Sequence, residues 1–178
     1  MKLDPKEQHQ QEMYRDARIS GDYEKIWQNV DKCAFCELNP KYMVCELDGM
    51  VLDVPLFAYI DGHMLIIPRR HVESSKELSR KEWAAVRKLL YIAKKMIKQV
   101  HGINGMQLVQ KDGRGAQSTV GHLHFHCIPF DGPHLSTWNY RKLTYTPLEN
   151  ARLYKSKVSS LKHLSQKYDA KYKDGKKT

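Results

Sequence analysis

No run of apolar residues in the 178-residue chain approaches the length that crosses a bilayer. The opening residues, Met1-Lys2-Leu3-Asp4-Pro5-Lys6-Glu7, lack the apolar core of a secretion leader. The expectation is therefore a cytoplasmic protein with no membrane partner. Cysteine is sparse. Four of them in a chain without a leader argue against a disulfide framework. Internal repeats are missing, and so is any linker that would divide the chain. Its length suits one domain with a proper core and is too short for two ordinary ones. Hydrophobic content of 41% and charged content of 28% are those of a soluble globular protein. Acidic residues are also scarce, 20 against 30 Lys and Arg, giving a net charge of +10. The deficit is local: from Arg141 onward 11 Lys and Arg face only Glu149, Asp169 and Asp174. Such a segment suits a phosphate-rich partner such as nucleic acid, and suits a solubilising helix equally well.

What the chain does have is His122-Leu123-His124-Phe125-His126-Cys127-Ile128-Pro129-Phe130. On a β-strand, side chains at alternate positions share a face. The three imidazoles would line one side, with Leu123, Phe125, Cys127 and Phe130 toward the core. A merely solvated strand face draws Lys, Thr, Glu or Ser instead, and three polar rings on a buried face must each find a partner. The strand reads as a site.

Around it, residues 5–30 read as one or two surface helices broken near Ser20-Gly21, with Met13, Ala17, Ile26 and Val30 as the apolar positions. Residues 41–47 and 50–54 form a hairpin across Asp48-Gly49, and Pro55 limits its second strand. Residues 64–67 have the pattern of a buried strand. Ser79 and Glu82 form a capping box that opens a long helix ended by Gly102. Trp83, Val86, Leu90, Ala93, Ile97 and Val100 make its expected apolar stripe. Residues 106–109 are a strand, and 111–118 a glycine-bearing loop that feeds the histidines. Past Pro133 the chain is irregular until a helix at 148–167, with Leu153, Val158, Leu161, Leu164 and Tyr168 facing inward. Residues 169–178 are expected to be disordered. This order of elements gives an α+β layer, an antiparallel sheet with helices on one face.

Cys33-Ala34-Phe35-Cys36 has the spacing that presents two thiolates to one metal ion, and also the spacing of a redox dithiol. No second such pair exists, so a four-cysteine zinc site is excluded. Two histidines must complete any tetrahedral site. His71 and His122 are the first candidates, with His63 and His101 in reserve. Cys45 and Cys127 read as core cysteines.

These residues resemble a known family. His122-Leu-His124-Phe-His126-Cys-Ile is similar to the His-φ-His-φ-His-φ-φ signature of the histidine-triad (HIT) superfamily of nucleotidyl hydrolases and transferases. Gly62-His63-Met-Leu-Ile-Ile-Pro68-Arg-Arg-His71 resembles its Gly-His-x-Leu-φ-φ-Pro-x-x-His segment, and Gln110 with Gln117-Ser118 resembles its polar loop. The likeness covers about residues 33–131. It implies a HIT-like α+β fold, a five-stranded antiparallel sheet with two main helices, and a homodimer. The HIT domain would occupy 31–140, between an N-terminal helical extension at 1–30 and a basic C-terminal helix and tail at 141–178. The resemblance also implies roles. His124 would be the nucleophile that becomes nucleotidylated, and His126 would hold the α-phosphate oxygens. Gln110, Gln117 and Ser118 would bind the phosphate or the departing group. The zinc-bearing branch implies Zn2+ held structurally by Cys33, Cys36, His71 and His122. Three residues separate Gln117-Ser118 from His122 where the family has two, so Ser118 or Thr119 could fill the hydroxyl position. Asp53-Val54-Pro55 is spaced unlike the family's ribose-binding acid, which leaves Asp53 as ribose ligand or turn residue. Pro55-Leu56-Phe57-Ala58-Tyr59 resembles the phosphorylase-like branch.

The expected function is cleavage of an α-phosphoryl bond in a nucleoside 5′-phosphoryl compound through a nucleotidyl-histidine. A phosphoramidate, a dinucleoside polyphosphate or an adenylated conjugate would serve, with adenine the family's usual base. Three alternatives stand beside it. One is removal of 5′-AMP from adenylated nucleic acid held by the basic C-terminus. Another is a non-enzymatic nucleotide-binding module, which would have no use for His124. The last is a redox protein built on Cys33 and Cys36, which would hold no metal tightly.

Overall fold

The computed structural model describes residues 3–27, 32–111, 120–132 and 142–171. Two N-terminal helices, α1 (Pro5–Ser20) and α2 (Asp22–Trp27), precede the first strands β1 (Met43–Leu47), β2 (Met50–Asp53) and β3 (Met64–Pro68). A short 3-10 turn leads to the long helix α3 (Arg80–His101), then β4 (Gly105–Gln110) and β5 (Phe125–Phe130). Helices α4 (Pro147–Lys155) and α5 (Val158–Lys171) complete the order. The strands form one five-stranded sheet in the order β1-β2-β3-β5-β4, antiparallel at every pairing. The fold is α+β, as the sequence predicts.

Local chemistry accounts for most of these boundaries. Asp48 and Gly49 both have positive φ, the requirement of a two-residue turn that matches strand twist. Ser79 and Glu82 make the expected capping box, and Gly102 ends α3 in the left-handed conformation. Asp4 caps α1, whose C-terminal Gly21 (φ 79°) separates it from α2.

Register assigns the two sheet faces. Met50, Leu52, Met64, Ile66, Phe125 and Cys127 join one core cluster with Val86, Leu89, Ala93, Met96 and Ile97 of α3. The opposite face carries a row of directly paired residues: Asp53 opposite Leu65, Leu65 opposite His126, His126 opposite Val109. One face packs on α3; the other carries Asp53 and His126 among apolar residues such as Val51, Leu65 and Ile67.

The structure departs from the sequence reading in several places. The apolar stripe of α3 runs through Ala85, Val86, Leu89, Ile92, Ala93, Met96 and Ile97. Trp83, in the first turn, stays 39% exposed and covers Phe125 only from one side (ring centroids 5.7 Å apart). The C-terminal helix is two helices with a break at Ser156-Lys157, and Pro147, Leu148, Asn150, Ala151 and Tyr154 are the buried residues of its first part. Leu161, Leu164 and Tyr168 do pack inward, Tyr168 against Tyr91. Residues 169–171 are helical where disorder is expected; 172–178 lie outside the described residues. In α1 the buried positions are Gln11 and Ala17, while Met13 is exposed; Val30 and the side chain of Ile26 lie outside the described residues. Strand β5 begins at Phe125, so His122 and His124 precede it, His122 in a bend, in a stretch held by the Leu123 N–H to the Val72 carbonyl (2.7 Å).

Candidate active site and metal centre

The alternation of side chains survives that late strand start. His122, His124 and His126 are all buried, while Leu123, Phe125 and Cys127 enter the core on the other side. Phe130, expected with them, is only partly buried and stays out of the core cluster, because alternation gives an even position to the histidine side. Each imidazole has its tautomer set by a neighbour. His124 Nδ1 lies 2.7 Å from the His122 carbonyl oxygen, which can only accept, so Nδ1 carries the proton and Nε2 the lone pair. Burial lowers its pKa, against the upward pull of the bond to the His122 carbonyl, and keeps the ring neutral.

His126 is set by a relay. The Tyr59 N–H donates to His63 Nδ1 (3.2 Å), which makes Nε2 the protonated nitrogen of a neutral His63. That Nε2 lies 3.0 Å from His126 Nδ1 and donates to it. The proton of His126 is therefore on Nε2, a buried atom without a partner among the described residues. Burial pushes His126 down to about 3 and takes His63 well below the ordinary histidine value, so both rings stay neutral. The result is a lone pair on one ring beside an N–H on the next, with ring centroids 4.8 Å apart.

His63 owes its position to Gly62. That residue has φ +84°, and a Cβ there would meet His101 at 2.7 Å and the Tyr154 hydroxyl at 2.9 Å. Tyr154, on α4, donates to the Gly62 carbonyl (2.9 Å) and fixes the turn. His63 and His101, the reserve metal ligands, are thus placed elsewhere: one in the relay, the other edge-on to Tyr145 and Tyr154.

The metal-binding candidates do converge. One donor atom each from Cys33, Cys36, His71 and His122 lies within 4.8 Å of all the others. Cys33 Sγ is 3.4 Å and Cys36 Sγ 3.7 Å from His122 Nδ1, and Cys36 Sγ is 3.2 Å from His71 Nδ1. A tetrahedral zinc with ordinary bond lengths has ligand–ligand edges of roughly 3.3–3.8 Å. His122 Nε2 donates to the Pro68 carbonyl (2.9 Å), which leaves Nδ1 unprotonated and aimed at the thiols. These residues fit a metal ion. Cys45 and Cys127 stay apart, their thiols pushed up to about 11 and about 12 by burial, as core cysteines should be. Phe35, inside the Cys33–Cys36 turn, packs edge-on to His124 with centroids 5.0 Å apart, so the metal turn also braces that ring.

His63, His124 and His126 open on a cavity of about 420 Å3, within the size range of small-molecule sites. Asp53 lines it too. Its carboxyl is pushed up to about 7 by burial, and Oδ1 has no partner among the described residues. Two strand spacings, about 10 Å, separate Asp53 from His126 along their row. Gln110 ends β4 opposite Phe125, next to Lys111, which lines the cavity. Gln117, Ser118 and Thr119 lie outside the described residues. Tyr14, Arg18, Tyr23 and Tyr59 are among the lining residues that sequence reasoning missed. Only Tyr59 has a sequence signal, its nearness to Gly62-His63.

Known proteins are similar to this chain in sequence and in fold. A HIT domain family model matches residues 37–132. The adenosine 5′-monophosphoramidase of Schizosaccharomyces pombe is 33% identical over 104 residues, 54% of this chain and 73% of the relative. A hypothetical histidine triad nucleotide-binding protein of Sulfolobus tokodaii superposes with a TM-score of 0.57 at 25% identity, over 82% of this chain and all of the other. A Zn-bound histidine triad family protein of Mycobacterium smegmatis superposes with a TM-score of 0.59, over 74% of this chain and 96% of the other; at 19% identity it shows the fold alone. The family match spans more than half of the sequence and contains all three triad histidines: the chain belongs to the HIT domain family.

Proposed function

We propose that this protein cleaves the α-phosphoryl bond of a nucleoside 5′-phosphoryl compound, with His124 as nucleophile. The observation that carries the reading is the pairing of two fixed tautomers: a lone pair on His124 Nε2 beside a proton on His126 Nε2. In the first step the His124 Nε2 lone pair forms a bond to the α-phosphorus, and the bond from phosphorus to the leaving group breaks. The leaving group departs with that electron pair and takes up a proton. In the second step an acceptor attacks phosphorus, the N–P bond breaks, and the lone pair returns to Nε2; with water as acceptor the product is the nucleoside monophosphate and a proton is released. Charge gathers on the equatorial oxygens in each transition state, where the His126 N–H donates. The Nδ1–H bond to the His122 carbonyl stabilises the imidazolium formed on attack. Gln110, Gln117 and Ser118 or Thr119 bind the phosphate or the departing group, and Asp53 takes the ribose hydroxyls.

The relative that is an adenosine 5′-monophosphoramidase supports an adenine nucleotide substrate. The metal is zinc, in a structural role, since four protein ligands leave no open position; the Zn-bound protein of the same fold supports this. Held there, zinc ties the Cys33–Cys36 turn to the chain entering β5. A homodimer would pair two β4 edges, where Leu108 is 49% exposed.

The test is AMP release from adenosine 5′-phosphoramidate, a diadenosine polyphosphate and 5′-adenylated DNA, by wild type and by His124→Ala. Wild type should release AMP from one or more of them, and the variant should lose at least about a thousandfold in kcat. Equal rates would remove His124 from the mechanism. Preference for adenylated DNA would favour a nucleic-acid role for the basic C-terminal segment.

A further inference from the structure

The bond that sets the tautomer of His63 spans a tight turn. Tyr59 donates its N–H to His63 Nδ1 across Ile60-Asp61-Gly62. The His63 N–H closes the turn on the Ile60 carbonyl (3.1 Å), and Gly62 stands at its third position with φ +84°, where glycine is favoured. The Tyr59 ring also stacks on both His63 and His126, with centroids 4.8 Å and 5.4 Å apart. A change in the turn would therefore move the donor, the acceptor and the ring that packs on both histidines.

The turn is gripped by residues 144–154, a stretch that lies beyond the family match at 37–132. The Thr144 and Tyr145 amides donate to the Asp61 carboxylate at 2.9 Å and 3.1 Å, and Tyr154 Oη donates to the Gly62 carbonyl at 2.9 Å. Between these contacts Thr146 and Glu149 form the capping box that starts α4. That cap fixes where Tyr154, about two helical turns on, sits relative to the two amides. Tyr154 is fully buried, and the His101 ring packs edge-on to it and to Tyr145, with centroids 5.6 Å and 5.9 Å apart.

We propose that Tyr154 and Asp61 are positioning residues for the triad. They clamp the Ile60–His63 turn in the shape that lets Tyr59 donate to His63, and so decide which nitrogen of His126 carries its proton. Both act through the turn rather than on substrate. Helix α4 thereby takes part in the site, although it lies outside the matched segment. The effect on turnover rests on the nucleotide reading above; the effect on the tautomers does not.

The test is nitrogen NMR of the full-length protein labelled in its histidines, which reads the protonated nitrogen of each ring without substrate, together with AMP release. In wild type His63 and His126 should both be protonated on Nε2. Tyr154→Phe removes one hydroxyl and keeps the ring in the core; Asp61→Ala releases the two amides. In each variant both histidines should show mixed tautomers. The kcat should fall about tenfold, the size of one buried hydrogen bond, with KM within about twofold of wild type. Leu164→Ala is the control: Leu164 is buried in the same core on α5, so its loss should lower the melting temperature and leave tautomers and kcat as in wild type. Wild-type tautomers in both Tyr154→Phe and Asp61→Ala would overturn the proposal and leave the clamp a purely structural contact. An equal tautomer shift in Leu164→Ala would also overturn it, by making the effect one of general loosening. A shift confined to the two clamp variants, in a protein that releases no AMP, would uphold the clamp and remove the nucleotide reading.

Discussion

A histidine can offer a phosphorus atom a lone pair or a proton from a given nitrogen, and the choice belongs to the group on its other nitrogen. In this site the three triad histidines resolve three ways. His122 turns its lone pair toward the two thiols, His124 turns its lone pair toward the cavity, and His126 turns a proton toward it. The last of these depends on His63, which accepts from the Tyr59 amide and passes a donor to His126. His63→Ala should therefore lower kcat by at least about tenfold, while zinc content stays at the wild-type level, because the metal donors are untouched. An unchanged kcat would mean that His126 sets its own tautomer. The triad itself was legible from alternate spacing, and the metal ligands from the Cys33–Cys36 spacing together with the family resemblance. The role of His63 was not, although its motif was visible. It depends on β3 pairing with β5, a contact across more than 60 residues, which turned a reserve metal ligand into part of the relay. Arg18 was equally hidden, since a lone arginine on a polar helix has the pattern of a solvated residue.

At the scale of elements, the strongest local signals gave the best boundaries. The Asp48-Gly49 turn and the α3 caps are set by backbone conformation and side-chain oxygens within four residues, so sequence suffices for them. Arg70 adds to the α3 cap by binding Glu82, whose carboxyl it helps to hold down to about 2. The start of β5 was less legible, because ladder pairing depends on the neighbouring strands as well as on side-chain alternation. His122 and Leu123 bond instead to Pro68 and Val72, the stretch that also carries His71. That arrangement brings the 68–72 segment, the chain before β5 and the Cys33–Cys36 turn to one cluster whose donors fit a metal ion. Cys33→Ser should lower zinc content from about one per chain to a small fraction, and lower the melting temperature by at least about 5 °C, since metal binding is folding free energy here. A strong chelator should reproduce the shift in the wild type and leave the variant unmoved. Wild-type zinc content and melting temperature in the variant would show that the cluster holds no ion.

Over the whole molecule, both terminal extensions join the domain between them. Gln11 of α1 is buried; its amide donates to the Tyr42 hydroxyl (2.8 Å) and its carbonyl accepts from the Leu148 amide of α4 (3.1 Å). Leu148, Ala151, Tyr154 and Leu164 enter the same core cluster as the sheet. Tyr154 reaches from α4 to the turn that sets His63, and Arg18 reaches from α1 to the ring behind His126. A division into extension, domain and tail follows the family resemblance and overlooks these long-range contacts, for which local sequence gives no sign. Because the proposed reaction passes through a covalent bond to His124, the measurement to make is intact-mass analysis of the whole protein after acid-free rapid quenching with substrate, followed by peptide mapping. Wild type should gain one nucleoside monophosphate, mapped to the peptide at His124, and His124→Asn should gain none. Rapid turnover by wild type with no such adduct at any quench time, or the same adduct on the variant, would contradict it.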